Sequence, residues 1–106
     1  MPILPINSAQ FNEVIKSETP IFIKIFADFC GPCKLLKPVV ETIAEKNIGI
    51  AFLEVDVEKN PEVPTQLHLS TVPVLLMYKN SKELGRLNGF NDEQKIQEFI
   101  NTNIHK

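Results

Sequence analysis

Residues 21–27 read Ile-Phe-Ile-Lys-Ile-Phe-Ala, apolar at odd and even positions alike except at Lys24. Side chains alternate between the two faces of a strand, so this segment reads as a strand that must be covered on both sides. Such a strand needs helices above and below its sheet. Lys24 breaks the run and requires either a partner or an escape to water.

The flanking patterns supply those helices. Asn7-Ser8 can cap a helix that turns Phe11, Val14 and Ile15 inward, with Pro20 as its stop. From Cys30 to about Lys46, Leu35, Leu36, Val39, Val40, Ile43 and Ala44 share one helical stripe, and Pro38 inside it predicts a kink. Ile50 to Asp56 reads as a second strand, and Asn60-Pro61 as the N-cap and first residue of a short helix. Val72 to Lys79 and Glu83 to Asn88 read as strands joined by a tight turn at Asn80-Ser81. Asn91 is expected to cap a last helix with Ile96, Phe99, Ile100 and Ile104 inward, and residues 3–6 to add an edge strand. The order (β)αβαβαββα predicts an α/β fold: a mixed sheet of four to five strands, parallel at its core, with helices on both faces.

Length and composition agree with one such unit. A chain of 106 residues is the size of a single domain, taken here as 1–106. Eleven basic and thirteen acidic residues leave a net charge of −2 with no basic stripe, so nucleic-acid binding has little electrostatic basis. The longest apolar run, Val72 to Tyr78, is seven residues, against the ~18 needed to cross a bilayer. The start, Met1-Pro2-Ile3-Leu4-Pro5, lacks the basic and apolar regions of a signal peptide. No nucleic acid, no membrane and a cytoplasmic monomer are therefore expected.

Cys30-Gly31-Pro32-Cys33 holds both cysteines of the chain, at the junction of the buried strand and the long helix. A helix N-terminus offers unpaired N–H groups and the positive end of its dipole, which favour a thiolate over a thiol. Two intervening residues let both sulfurs meet within one turn, and Pro32 is tolerated where no intrahelical donor is needed. Cys30, nearer the helix start, is expected to be the exposed nucleophile and Cys33 the shielded resolving thiol. Zinc would need four ligands, yet only His68 and His105 could join the cysteines, at unsuitable spacing. An iron–sulfur cluster would need more thiolates. As a purely structural bridge the pair closes so short a loop that it would stabilise by only ~2 kcal/mol. A reactive dithiol is the strongest reading, with no metal.

Ala27-Asp28-Phe29 before this motif, Lys34 after it and Pro38 in the helix make the segment resemble the active site of the thioredoxin family. The resemblance continues through Asn60-Pro61, Thr71-Val72-Pro73, Lys79-Asn80 and Gly89, covering essentially the whole chain. It implies the thioredoxin fold and a protein-disulfide reductase. Cys30 would attack a client disulfide and Cys33 resolve the mixed disulfide. It also implies a redox-active Cys30–Cys33 disulfide with no bound cofactor, electrons coming from NADPH through a thioredoxin reductase. Clients would be disulfide-containing proteins. Pro73 would be a cis-proline facing the dithiol, exposing the Val72 backbone to an extended client, with Phe29 and Gly89 beside it.

Five positions depart from the family. Phe29 replaces the Trp before the first Cys, keeping an aromatic wall without the indole donor, and Phe26 also replaces a Trp and is read as packing. Ser81 replaces a hairpin Gly, which leaves the turn type open. Lys24 stands where the family has a buried Asp below the second Cys, and Glu54 where it has the partner Lys. Either the two form a charge-swapped buried pair, or Lys24 snorkels to water and Glu54 is solvated. As a pair they are candidates for the Cys33 proton: Glu54 acting through water, or a neutral Lys24 as base. Asp28, Lys34 and His68 are read as rim, solvated and helix-end residues. Besides the reductase, two readings remain: a binding subunit or a specialised relative with narrow clients, and an oxidase or isomerase.

Overall fold

A computed structural model describes residues 3–106; Met1 and Pro2 lie outside the described residues. The elements run β1 (Leu4–Pro5), α1 (Ser8–Val14), β2 (Ile21–Phe26), α2 (Gly31–Lys46), β3 (Ala51–Asp56), α3 (Glu62–Leu67), β4 (Val74–Lys79), β5 (Lys82–Asn88) and α4 (Glu93–Asn103). The sheet order is β1-β3-β2-β4-β5, with β1, β3 and β2 parallel and β4 and β5 antiparallel. This is the thioredoxin fold, with β2 at the centre of a mixed five-stranded sheet.

The alternation of β2 divides the core in two. Ile21, Ile23 and Ile25 pack with Phe11 of α1 and with Val63 and Leu67 of α3. Phe22 faces the other way, against Leu36, Val40 and Ile43 of α2 and Ile96 and Ile100 of α4. Burying each of these large side chains contributes about 1.5–3 kcal/mol, which is why a strand apolar on both sides dictates two helical layers. Lys24 and Phe26 share the Phe22 face by the same alternation.

The structure moves several boundaries read from the sequence. α1 ends at Val14, well before Pro20, because the following turn serves the hairpin tip. There the carbonyls of Ile15 and Ser17 each accept at 2.7 Å from the backbone N–H groups of Ser81 and Asn80. Asn60 does not cap α3, whose N-cap is Pro61 without a side-chain bond. Its amide oxygen instead accepts from the N–H and hydroxyl of Ser8 (3.0 and 3.2 Å), tying the start of α1 to α3. Glu62 joins this knot: first its own backbone N–H, then the Ser8 hydroxyl, hold its carboxyl below its ordinary range. Asp92, rather than Asn91, caps α4, accepting from Lys95 N–H at 2.9 Å. Asn91 donates to the carbonyls of Asn88 and Gly89. Among the described residues no helix is long and apolar enough to cross a membrane.

Candidate active site

Cys30 sits at the C-terminal exit of β2 as the N-cap of α2, in an extended backbone conformation. Its sulfur accepts from the backbone N–H of Cys33 at 3.2 Å, taking the place a capping oxygen fills in other helices. Gly31 and Pro32 form the exposed first turn, where proline's missing N–H costs nothing. The two cysteines are joined as a disulfide with Cα atoms 5.2 Å apart. Cys30 is half-buried, whereas Cys33 is only 4% exposed, shielded by the body of the helix. In the reduced form the same donor and the positive helix end favour a thiolate at Cys30.

A second strand end faces this helix start. The Val72–Pro73 peptide is cis, and the Val72 carbonyl oxygen lies 3.7 Å from Cys30 Sγ. Pro73 is buried, and its carbonyl accepts from Gly89 N–H at 2.9 Å. Gly89 has φ +76°, a conformation open to glycine at no steric cost, which turns the chain out of β5. Phe29 is 69% exposed immediately before Cys30, so its ring is offered to solvent rather than spent on the core. Cys30, Val72, Pro73 and Gly89 are thus linked by direct contacts, with Phe29 on one flank.

Lys24 and Glu54 are brought together. Parallel register places them opposite one another on β2 and β3. Lys24 Nζ lies 3.2 Å from Glu54 Oε1, with Lys24 3% and Glu54 22% exposed. Lys24 therefore does not snorkel to water; it is buried and paired. The pair opens into a cleft of about 310 Å³ also lined by Cys33, Phe26, Ala27, Asp28, Lys34 and Lys37. Cys33, the buried cation and its carboxylate thus share one solvent-connected space, in which a water can bridge groups that do not touch.

Two side chains carry more than the sequence reading gave them. Phe26, read as packing, holds the Lys24 ammonium 5.0 Å from its ring centroid. The signal was the i, i+2 spacing, which puts both on one strand face. Phe90, unremarked in the sequence, is 48% exposed and directly follows Gly89 in the chain. Asp28 and Lys34 are exposed, and His68 closes α3 in the left-handed conformation (φ 58°). Among the described residues no three His, Cys, Asp or Glu side chains converge as metal ligands.

A thioredoxin family model matches residues 2–102. The chain is similar to a thioredoxin of Rickettsia bellii, 29% identical over 93 residues that span 87% of this chain and 89% of that one. A thioredoxin of Chlamydia trachomatis serovar D is 35% identical over 80 residues, 76% and 78% of the two chains. The X-ray structure of Fasciola hepatica thioredoxin superposes with a TM-score of 0.87 at 29% identity, covering 95% of this chain and 99% of that one.

Proposed function

The chain belongs to the thioredoxin family and is a thiol–disulfide oxidoreductase of proteins, and on that premise we propose how its residues divide the reaction. Thioredoxins work on disulfide-containing proteins without a bound cofactor. Cys30 is the nucleophile: its thiolate attacks one sulfur of a client disulfide, forming a Cys30–client bond and expelling the first client thiolate. Cys33 resolves. Its thiolate attacks Cys30 Sγ, the Cys30–Cys33 bond forms, and the second client thiolate leaves. Two electrons pass from the dithiol to the client, whose two thiolates take up the two protons the cysteines give up. The observation that carries this assignment is the contrast between a half-buried Cys30 at the helix start and a Cys33 only 4% exposed.

Phe29, Val72, Pro73 and Gly89, with Phe90, form the client groove in this reading, and Gly31-Pro32 keeps the helix start open to it. The Val72 carbonyl 3.7 Å from Cys30 Sγ supports pairing with an extended client segment. The proton of Cys33 goes to the Lys24–Glu54 pair. Glu54 receives it through water in the cleft and releases it to solvent, from which the client thiolate is protonated, and the Lys24 ammonium offsets the negative charge that develops on Cys33. Re-reduction uses a thioredoxin reductase with NADPH as the electron source. A single domain, 1–106, acts as a monomer in the cytoplasm, with neither nucleic acid nor membrane as partner.

The test is reduction of a protein disulfide such as insulin's, coupled to NADPH through a thioredoxin reductase. Turnover is expected for the native chain and abolished in Cys30→Ser and Cys33→Ser. Inactivity with several reductases, both thiols being intact, contradicts the reading.

A further inference from the structure

We propose that Phe26 is a positioning residue for the proton step at Cys33, acting through Lys24, an inference that rests on the proton-handling role assigned above to Lys24 and Glu54. A lysine stem has four carbons and an ammonium with three rotatable donors, so one ion pair sets a distance but not a direction. Several groups compete for that ammonium. Glu54 faces it from β3, Asp28 lines the same cleft from the loop after β2, and Asp56 lies opposite Phe26 at the end of β3. Lys34 and Lys37 of α2, both exposed, line the cleft from the helical side, while Leu75 of β4 and Pro5 of β1 close the row in the sheet. Lys59 lies with Asp56 in a second groove that Glu54 and Phe26 also line.

The Phe26 ring stands between these alternatives. It lines both the cleft holding Lys24 and Cys33 and the groove holding Asp56 and Lys59. Its face carries the Lys24 ammonium at 5.0 Å, within the range where a ring quadrupole attracts a cation. A ring at that place keeps Lys24 on Glu54, beside Cys33, and away from Asp56. An aliphatic side chain would fill similar volume but would offer no face to the cation and no flat barrier.

The test follows the resolving step itself. A mixed disulfide of Cys30 with 5-thio-2-nitrobenzoate releases its chromophore when Cys33 attacks, and the rate is recorded against pH in the full chain. Phe26→Leu is expected to move the midpoint of that profile upward by about half a unit, because a released Lys24 no longer offsets the negative charge that develops on Cys33. Phe26→Tyr, which keeps the ring, restores the native midpoint. Should Phe26→Leu fail to fold, ring-fluorinated phenylalanine at position 26 preserves shape while weakening the attraction, and must move the midpoint the same way. Superimposed profiles for native, Leu and fluorinated proteins overturn the proposal. Glu54→Gln and Lys24→Met separate the two levels. If both leave the profile unchanged, the proton reading fails and the role of Phe26 with it; if they shift it while Phe26→Leu does not, only the role of Phe26 is lost.

Discussion

At the scale of single residues, the pairing of Lys24 with Glu54 has an asymmetric cost. Lys24 is 3% exposed and its partner 22%, so only the carboxylate can turn to water when left alone. Glu54→Gln is expected to destabilise by about 3 kcal/mol, since it strands a buried ammonium. Lys24→Met should cost clearly less, and urea unfolding of the two variants checks the order. Tyr78 gives a second reading from one side chain. It is the only tyrosine, its ring packs edge-on against Phe11, and its hydroxyl lies 3.4 Å from Glu83. Burial first, then the charge of Glu83, push the phenol up to about 12, with Arg86 opposing. The native state therefore holds this proton more tightly than the unfolded chain. Its contribution to stability is present below about pH 10 and is lost as pH rises from there through about 12. A spectrophotometric titration at the phenolate band is expected to show one transition centred near the upper value; a midpoint near 10 contradicts the buried environment.

At the scale of elements, the β4–β5 hairpin shows what a turn demands. Asn80 and Ser81 have φ of 53° and 64°, so both central residues are left-handed and the turn is type I′. That settles the turn type the Ser81 substitution had left open. Serine bears a cost in that conformation that glycine does not, and the backbone bond from Ser81 N–H to Ile15 survives the change. Ser81→Gly should therefore stabilise by about 1 kcal/mol in thermal or urea unfolding. Helix starts were less legible than the helices themselves. Asn60 and Asn91 are both capping residue types, but Asn60 is taken by Ser8, 52 positions away in the chain. Asn91 turns its amide back onto the Asn88 and Gly89 carbonyls. A side chain that can satisfy a helix end can equally satisfy a distant backbone group, and local pattern does not distinguish the two.

At the scale of the molecule, the two-sided apolar strand at 21–27 carries the architecture: helices on both faces and β2 at the centre of the sheet. The dithiol was legible because only Gly31 and Pro32 separate Cys30 from Cys33 and their chemistry depends on a local strand–helix junction. Lys24 and Glu54 were legible only as a pair of departures from a family pattern, and burial decided between pairing and snorkelling. The i, i+2 spacing put Phe26 and Lys24 on one strand face, but the ammonium–ring contact and the exposure of Phe90 depend on how side chains settle once the sheet has formed. The order of attack by the two cysteines is tested most directly by trapping. Cys33→Ser, incubated with an oxidised protein, should accumulate a covalent adduct that reducing agent releases and that peptide mapping places on Cys30. Cys30→Ser should accumulate none, because Cys33 is buried. Adducts forming at Cys33 in Cys30→Ser, as fast as at Cys30 in Cys33→Ser, would reverse the assignment of nucleophile and resolving thiol.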